Sequence, residues 1–207
     1  MNSRRQKEMN VLTNETEMNI IIDQTRHEKL AIFAVALKLL REGKFHATPM
    51  AEIAYLSRIS NVLMEHVFDT RERLLEELSD AMLRQIETET EEACKKGETF
   101  RECVLNCWTA LYDFYTRYPD TISFMEQFET LKSRLFIADR THPGKLETLV
   151  SLFNEQKDLS TDTTPQALAW LLHENAMSAA KMNVQNAHTV PPRRLAEIFW
   201  NGISSSR

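Results

Sequence analysis

The sequence predicts an all-α protein, and three observations carry that expectation. Only four glycines and six prolines occur in 207 residues, too few for the tight turns of a β fold. Apolar residues recur at helical spacing through most of the chain. Helix-start signals recur as well: a hydroxyl residue stands before proline at Thr48-Pro49 and Thr164-Pro165.

The elements follow in order. Residues 1–24 are polar, apart from Ile20-Ile21-Ile22, and read as an N-terminal arm. From Thr25, the residues Leu30, Ile32, Phe33, Ala36, Leu37, Leu39 and Leu40 form one apolar helix, ended at Gly43-Lys44. Thr48 is expected to cap a second helix, Pro49 to about Leu56, that turns Ile53 and Ala54 inward. After a break at Ser57-Arg58-Ile59, Ser60 caps a third helix, Asn61 to about Val67. Asp69-Thr70-Arg71-Glu72 reads as a capping box opening a long helix that ends near Gly97.

Thr99-Phe100-Arg101-Glu102 reads as a second box. Its helix carries Val104, Leu105, Trp108, Leu111, Tyr112 and Tyr115, and Tyr118-Pro119 stops it. Further helices are expected over Asp120 to about Ile137, Lys145 to Gln156, Pro165 to about Asn186, and Arg193 to Asn201. Two short helices with a three-residue break, set between longer ones, have the spacing of a helix-turn-helix. Three divisions result: the arm 1–24, a helix-turn-helix domain 25–75 whose fourth helix begins near 70, and a larger helical domain 76–207.

Composition narrows the function. The chain is 43% hydrophobic and 27% charged, ordinary for a globular protein. No apolar run approaches the roughly 18 to 20 residues that span a bilayer, so no membrane association is expected. Arg4, Arg5 and Lys7 are not followed by an apolar stretch, so the N-terminus does not read as a secretory signal. Net charge is −5, yet residues 25–75 hold 8 basic against 6 acidic side chains. A mildly basic end on an acidic body suits a protein that touches DNA with that end only. Cys94, Cys103 and Cys107 have no partners at metal-ligand spacing and read as buried, reduced thiols of a cytoplasmic protein. No phosphate loop, metal-spaced histidines or nucleophile with a base is present, so neither an enzyme nor a cofactor is expected.

Over Leu30 to Leu75 the chain resembles the TetR/AcrR-like family of one-component bacterial regulators. The resemblance rests on Phe45, Thr48, Ile53 and Ala54, then on Phe68, Arg71, Leu74 and Leu75, in ungapped register. The terminal Phe199-Trp200-Asn201-Gly202-Ile203 is similar to a common ending of the family. The resemblance implies a homodimeric, ligand-responsive regulator, chiefly of repressor type. It would hold a pseudo-palindromic operator through its third helix, enclose a small apolar or amphipathic effector in the second domain, and pair through its last two helices. The chain departs from the family between Ser57 and Phe68. Arg58 replaces a turn glycine, which costs a non-glycine residue about 1 kcal/mol if φ is positive. Leu63 replaces a hydroxyl residue and Glu65 a tyrosine.

The DNA-binding candidates are Lys44, Thr48, Arg58, Asn61, Leu63, Glu65, His66 and Arg71, with Arg71 the foremost phosphate contact. Candidate effector-pocket residues are Trp108, Tyr112, Phe124, Phe128, Trp170, His173 and Met177, set against the plainer reading of the same stripe as core. Glu65 and Leu63 also admit an alternative: a TetR-like fold that no longer binds an operator and serves ligand or protein binding.

Overall fold

The computed structural model describes residues 26–127, 147–154, 164–186 and 190–204. The arm 1–24, the expected helix beyond Gln127 and the Thr141–Gly144 break lie outside the described residues. Among the described residues the elements are α-helices: α1 (26–41), α2 (Met50–Leu56), α3 (Asn61–Val67), α4 (Arg71–Cys94), α5 (Phe100–Arg117), α6 (Asp120–Gln127), α7 (Glu147–Asn154), α8 (Pro165–Asn186) and α9 (Pro192–Ile203). The fold class is the one expected. The chain divides into two compact units that meet at Glu76 and Glu77, within α4.

In the first unit the apolar stripe of α1 (Ile32, Phe33, Ala36, Leu39, Leu40) is buried with Phe45, Ile53, Ala54, Met64, Phe68 and Leu74. Phe33 and Phe68 meet at 5.8 Å between ring centroids. Gly43 ends α1 at φ +68, a conformation open to glycine at little cost, and the next N–H, that of Lys44, returns to the Leu39 carbonyl at 2.9 Å.

Two caps differ from expectation. Thr48 does not cap α2: Pro49 occupies the N-cap position, and the Thr48 hydroxyl donates to the Lys44 carbonyl at 2.9 Å. Its oxygen is thereby drawn back into the α1–α2 turn, away from the helix amides. At α4 the cap is Thr70, one residue later than Asp69, and it accepts the Arg73 N–H at 3.1 Å. An aspartate and a threonine stand side by side here, both able to cap, and the threonine takes the position. Ser60 caps α3 as expected, accepting the Leu63 N–H at 3.2 Å.

The second unit is built round α5, which packs on α7, α8 and α9. Its capping box forms as expected, with Thr99 accepting the Glu102 N–H and Glu102 returning to the Thr99 N–H. Val104, Leu105, Cys107, Trp108, Leu111, Tyr112, Phe114 and Tyr115 are all buried. Gly97 is dictated by close approach: a Cβ there would stand 2.6 Å from the Cys103 backbone nitrogen. Polar ties fix α4 to its neighbours in this unit. Glu87 accepts both the N–H and the hydroxyl of Thr148, and Arg117 meets Glu89 at 3.0 Å. Thr164 caps α8, accepting the Ala167 N–H at 3.3 Å.

Of the three cysteines only Cys107 is fully buried, while Cys94 and Cys103 are half-buried. That corrects the expectation of three buried thiols: Cys94 ends α4 and Cys103 lies in the first turns of α5, where solvent still reaches. Burial, reinforced by the Cys94 side chain, pushes the Cys103 thiol up to about 11. No helix is long and apolar enough to cross a membrane among the described residues.

Candidate DNA-binding surface and apolar groove

α2 and α3 are separated by Ser57–Ser60, and a single residue sets their crossing. Arg58 has φ +59, the positive value expected if it replaces a turn glycine. Its N–H closes onto the Tyr55 carbonyl at 3.0 Å, and the Ile59 N–H reaches the Ala54 carbonyl at 3.0 Å. The Ser57 hydroxyl, buried, donates to the Ile53 carbonyl at 2.7 Å. An L-residue is strained in the left-handed region. Arg58→Gly is therefore expected to raise thermal stability by about 1 kcal/mol, read as a higher Tm of the transition that includes the first unit.

The turn delivers α3 with Met64 inward and Asn61, Val62, Glu65 and His66 exposed. These four fall at i, i+1, i+4 and i+5, so they share one outward stripe. Arg58, in the turn before α3, and Lys44, after α1, are exposed, and Lys44 pairs with Glu42 at 2.9 Å. Leu63 is half-buried, off the stripe, and Thr48 is buried. Both had been placed on the DNA-facing side by sequence; in the structure neither presents its side chain fully to solvent. Val62, 78% exposed, and Tyr55, 79% exposed, were missed. The missed signal was the alternation itself: with Met64 and Phe68 inward, helical spacing turns Val62 out.

Arg71 has work inside the unit. Its guanidinium donates to the Phe45 carbonyl and, at 2.7 Å, to the Thr48 carbonyl, and stands 5.1 Å from the centroid of the Phe45 ring. It ties the α1–α2 turn to the start of α4.

In the second unit the candidate pocket residues separate. Trp108 is buried, stacks on Tyr112 at 5.6 Å and donates its indole N–H to Asn175 Oδ1 at 2.8 Å. His173 is buried, with Nε2 2.6 Å from the Tyr115 hydroxyl. Burial pushes the Tyr115 phenol well above its ordinary range. His173 Nδ1 stands 3.6 Å from Glu174 Oε1. Phe124 and Met177 are buried as well. Trp170 is 45% exposed, one position beyond Ala169 on the inward stripe of α8 (Ala169, Leu172, His173, Ala176, Ala180). Phe128 lies outside the described residues.

An open groove of about 470 Å³ runs over α5, α8 and α9 instead, with Trp108 as its only member from the candidate set. Leu171, Asn175, Ser178 and Met182 line it from one stripe of α8, and Leu195, Ile198 and Phe199 line it from α9. Ile198 is 61% exposed and Met182 64%. Among the described residues no group of three or more His, Cys, Asp or Glu side chains is arranged to hold a metal ion.

No protein-family model matches the sequence, and no curated protein matches it. Solved structures do. A TetR-family transcription regulator of Marinobacter aquaeolei superposes with a TM-score of 0.75 at 13% identity, covering 88% of this chain and 98% of its own. One from Haemophilus influenzae gives 0.70 at 16% identity, covering 86% and 97%. The transcriptional regulator FadR of Bacillus subtilis, solved with stearoyl-CoA, gives 0.63 at 15% identity, covering 86% and 98%. The fold of this chain is that of the TetR-family transcription regulators: an N-terminal helix-turn-helix followed by a larger helical domain.

Proposed function

We propose that the protein is a ligand-responsive transcription regulator of repressor type that binds an operator as a homodimer in the cytoplasm. One observation carries the DNA-binding part: the Arg58 turn sets α3 so that Asn61, Val62, Glu65 and His66 form a single exposed stripe. An α-helix presented in this way enters the major groove and reads base edges with its outward side chains. Arg58 and, on release from its exposed pair with Glu42, Lys44 are the phosphate contacts this reading favours, since Arg71 is held by two backbone carbonyls.

The dimer is proposed through α8 and α9. Leu171, Met182 and Ile198 leave an apolar surface exposed there, and covering such a surface is what a two-fold four-helix contact does. Leu168, Leu172 and Ala176, also apolar on α8, are buried within the protomer and take no part. A two-fold dimer would favour a pseudo-palindromic operator. The effector is proposed to be small and apolar or amphipathic and to bind in the second unit. Support comes from the buried aromatic residues carried by α5 and from the stearoyl-CoA complex of the similar fold.

Selection of genomic DNA fragments by the purified protein tests the reading, together with sedimentation at micromolar concentration. Enrichment of a two-fold site by a dimer is expected. Failure to enrich any fragment would leave the fold serving a ligand or protein partner. On the enriched site, Glu65→Gln is expected to relax preference at one C·G pair by about 1 to 3 kcal/mol, because a carboxylate accepts from the cytosine amino group. Uniform tightening on all sequences would show that Glu65 only repels phosphate.

A further inference from the structure

The outward stripe of α3 contains one residue the fold has no use for. Val62 is 78% exposed, while Ile53, Ala54, Met64 and Phe68 complete the packing on the inner side. Valine is a poor helix former, since its branched Cβ loses rotamer freedom against the preceding turn. In a seven-residue helix it therefore weakens the element and adds no burial in return.

Its neighbours on the stripe are polar: Asn61 before it, Glu65 and His66 one turn on. A single valine on α3, even with Tyr55 and Leu56 also exposed on α2, is less apolar surface than the core of a protein interface, which excludes water over many residues. It suits the DNA major groove, where polar atoms dominate and thymine alone presents a methyl group.

We propose that Val62 is a specificity-determining residue that reads one thymine of the operator half-site through its 5-methyl group. The inference rests on the DNA-binding reading above and names a base for it. Glu65 and His66, a turn away and about 5 to 6 Å along the helix, then face neighbouring base pairs.

The test uses the full chain. A duplex enriched from a random library is resynthesised with each thymine replaced singly by deoxyuracil, which removes only the methyl. Binding of wild type, Val62→Ala and Val62→Ser is then measured. One deoxyuracil position is expected to weaken wild type about fourfold, the value of one buried carbon group. Val62→Ser should be indifferent to that position and Val62→Ala less sensitive to it than wild type, since one methyl remains; both should respond to all others as wild type does. Because Val62 is exposed, neither variant should melt below wild type, and Val62→Ala should melt slightly above it; the deoxyuracil scan of the unaltered protein decides the matter whatever the melting shows. If wild type ignores every methyl, or if the variants lose as much as wild type at the same position, Val62 reads no thymine, although the DNA-binding reading stands. If no duplex is enriched, both fall, and Val62 and Tyr55 belong to a surface for another partner.

Discussion

Replacing Arg71 with alanine is expected to cost about 3 kcal/mol of stability in the first unit. The guanidinium satisfies two backbone carbonyls, those of Phe45 and Thr48, and lies against the Phe45 ring. Hydrogen bonds from a charged donor contribute about 1.5 to 3 kcal/mol each, and they do not add in full because they share one side chain. Truncation also strips cover from the Phe45 ring, which is buried to 1% exposure. Lysine is not expected to restore the loss: one ammonium on a flexible stem does not reproduce a planar fork reaching two carbonyls. Amide hydrogen exchange locates the effect, with protection falling across residues 44–56 and staying unchanged in α5 and α8. The salt dependence of DNA binding, measured where the variant remains folded, separates this role from the phosphate contact that sequence suggested. An unchanged slope makes Arg71 a structural tie; a slope lower by about one adds a phosphate.

The second large effect is expected in the other unit. Trp108→Ala should lower stability by about 4 kcal/mol, since it removes the largest fully buried side chain and leaves a cavity that α5 and α8 cannot close. Three contacts go together: the stack on Tyr112, the hydrogen bond to Asn175 and the wall of the groove. Trp108→Phe keeps most of the apolar volume and should cost roughly 1 to 2 kcal/mol. Asn175 is exposed, so water replaces the lost indole donor. Thermal unfolding followed by near-UV circular dichroism checks both. Equal losses for alanine and phenylalanine would show that the hydrogen bond, not the volume, holds Trp108.

Much of the fold was legible because its signals are local. Helical periodicity placed α1 to α5, and a hydroxyl before an exposed amide placed the caps at Ser60, Thr99 and Thr164. Arg58 was readable as a strained turn from its place alone, and its φ of +59 agrees. Sequence and structure differ where two local solutions lie one residue apart. Asp69 and Thr70 both suit a cap, and only the start of α4 chooses between them. Leu63 and Val62 are both apolar, and only the packing of Met64 decides which turns outward.

The sequence by itself determined the helical class, the two short helices with their break, and the residue types on α3 that could read bases. It did so because hydrogen bonds between near neighbours and the 3.6-residue period are written in consecutive residues. Only the tertiary structure decided the employment of side chains whose partners are distant in the chain. Arg71 finds its carbonyls 23 and 26 residues away, His173 its phenol 58 residues away, and Trp108 its amide 67 residues away. A long polar side chain looks the same in sequence whether it meets phosphate, ligand or backbone. What it meets is settled by which groups burial would otherwise leave without a hydrogen bond, and that is a property of the packed chain.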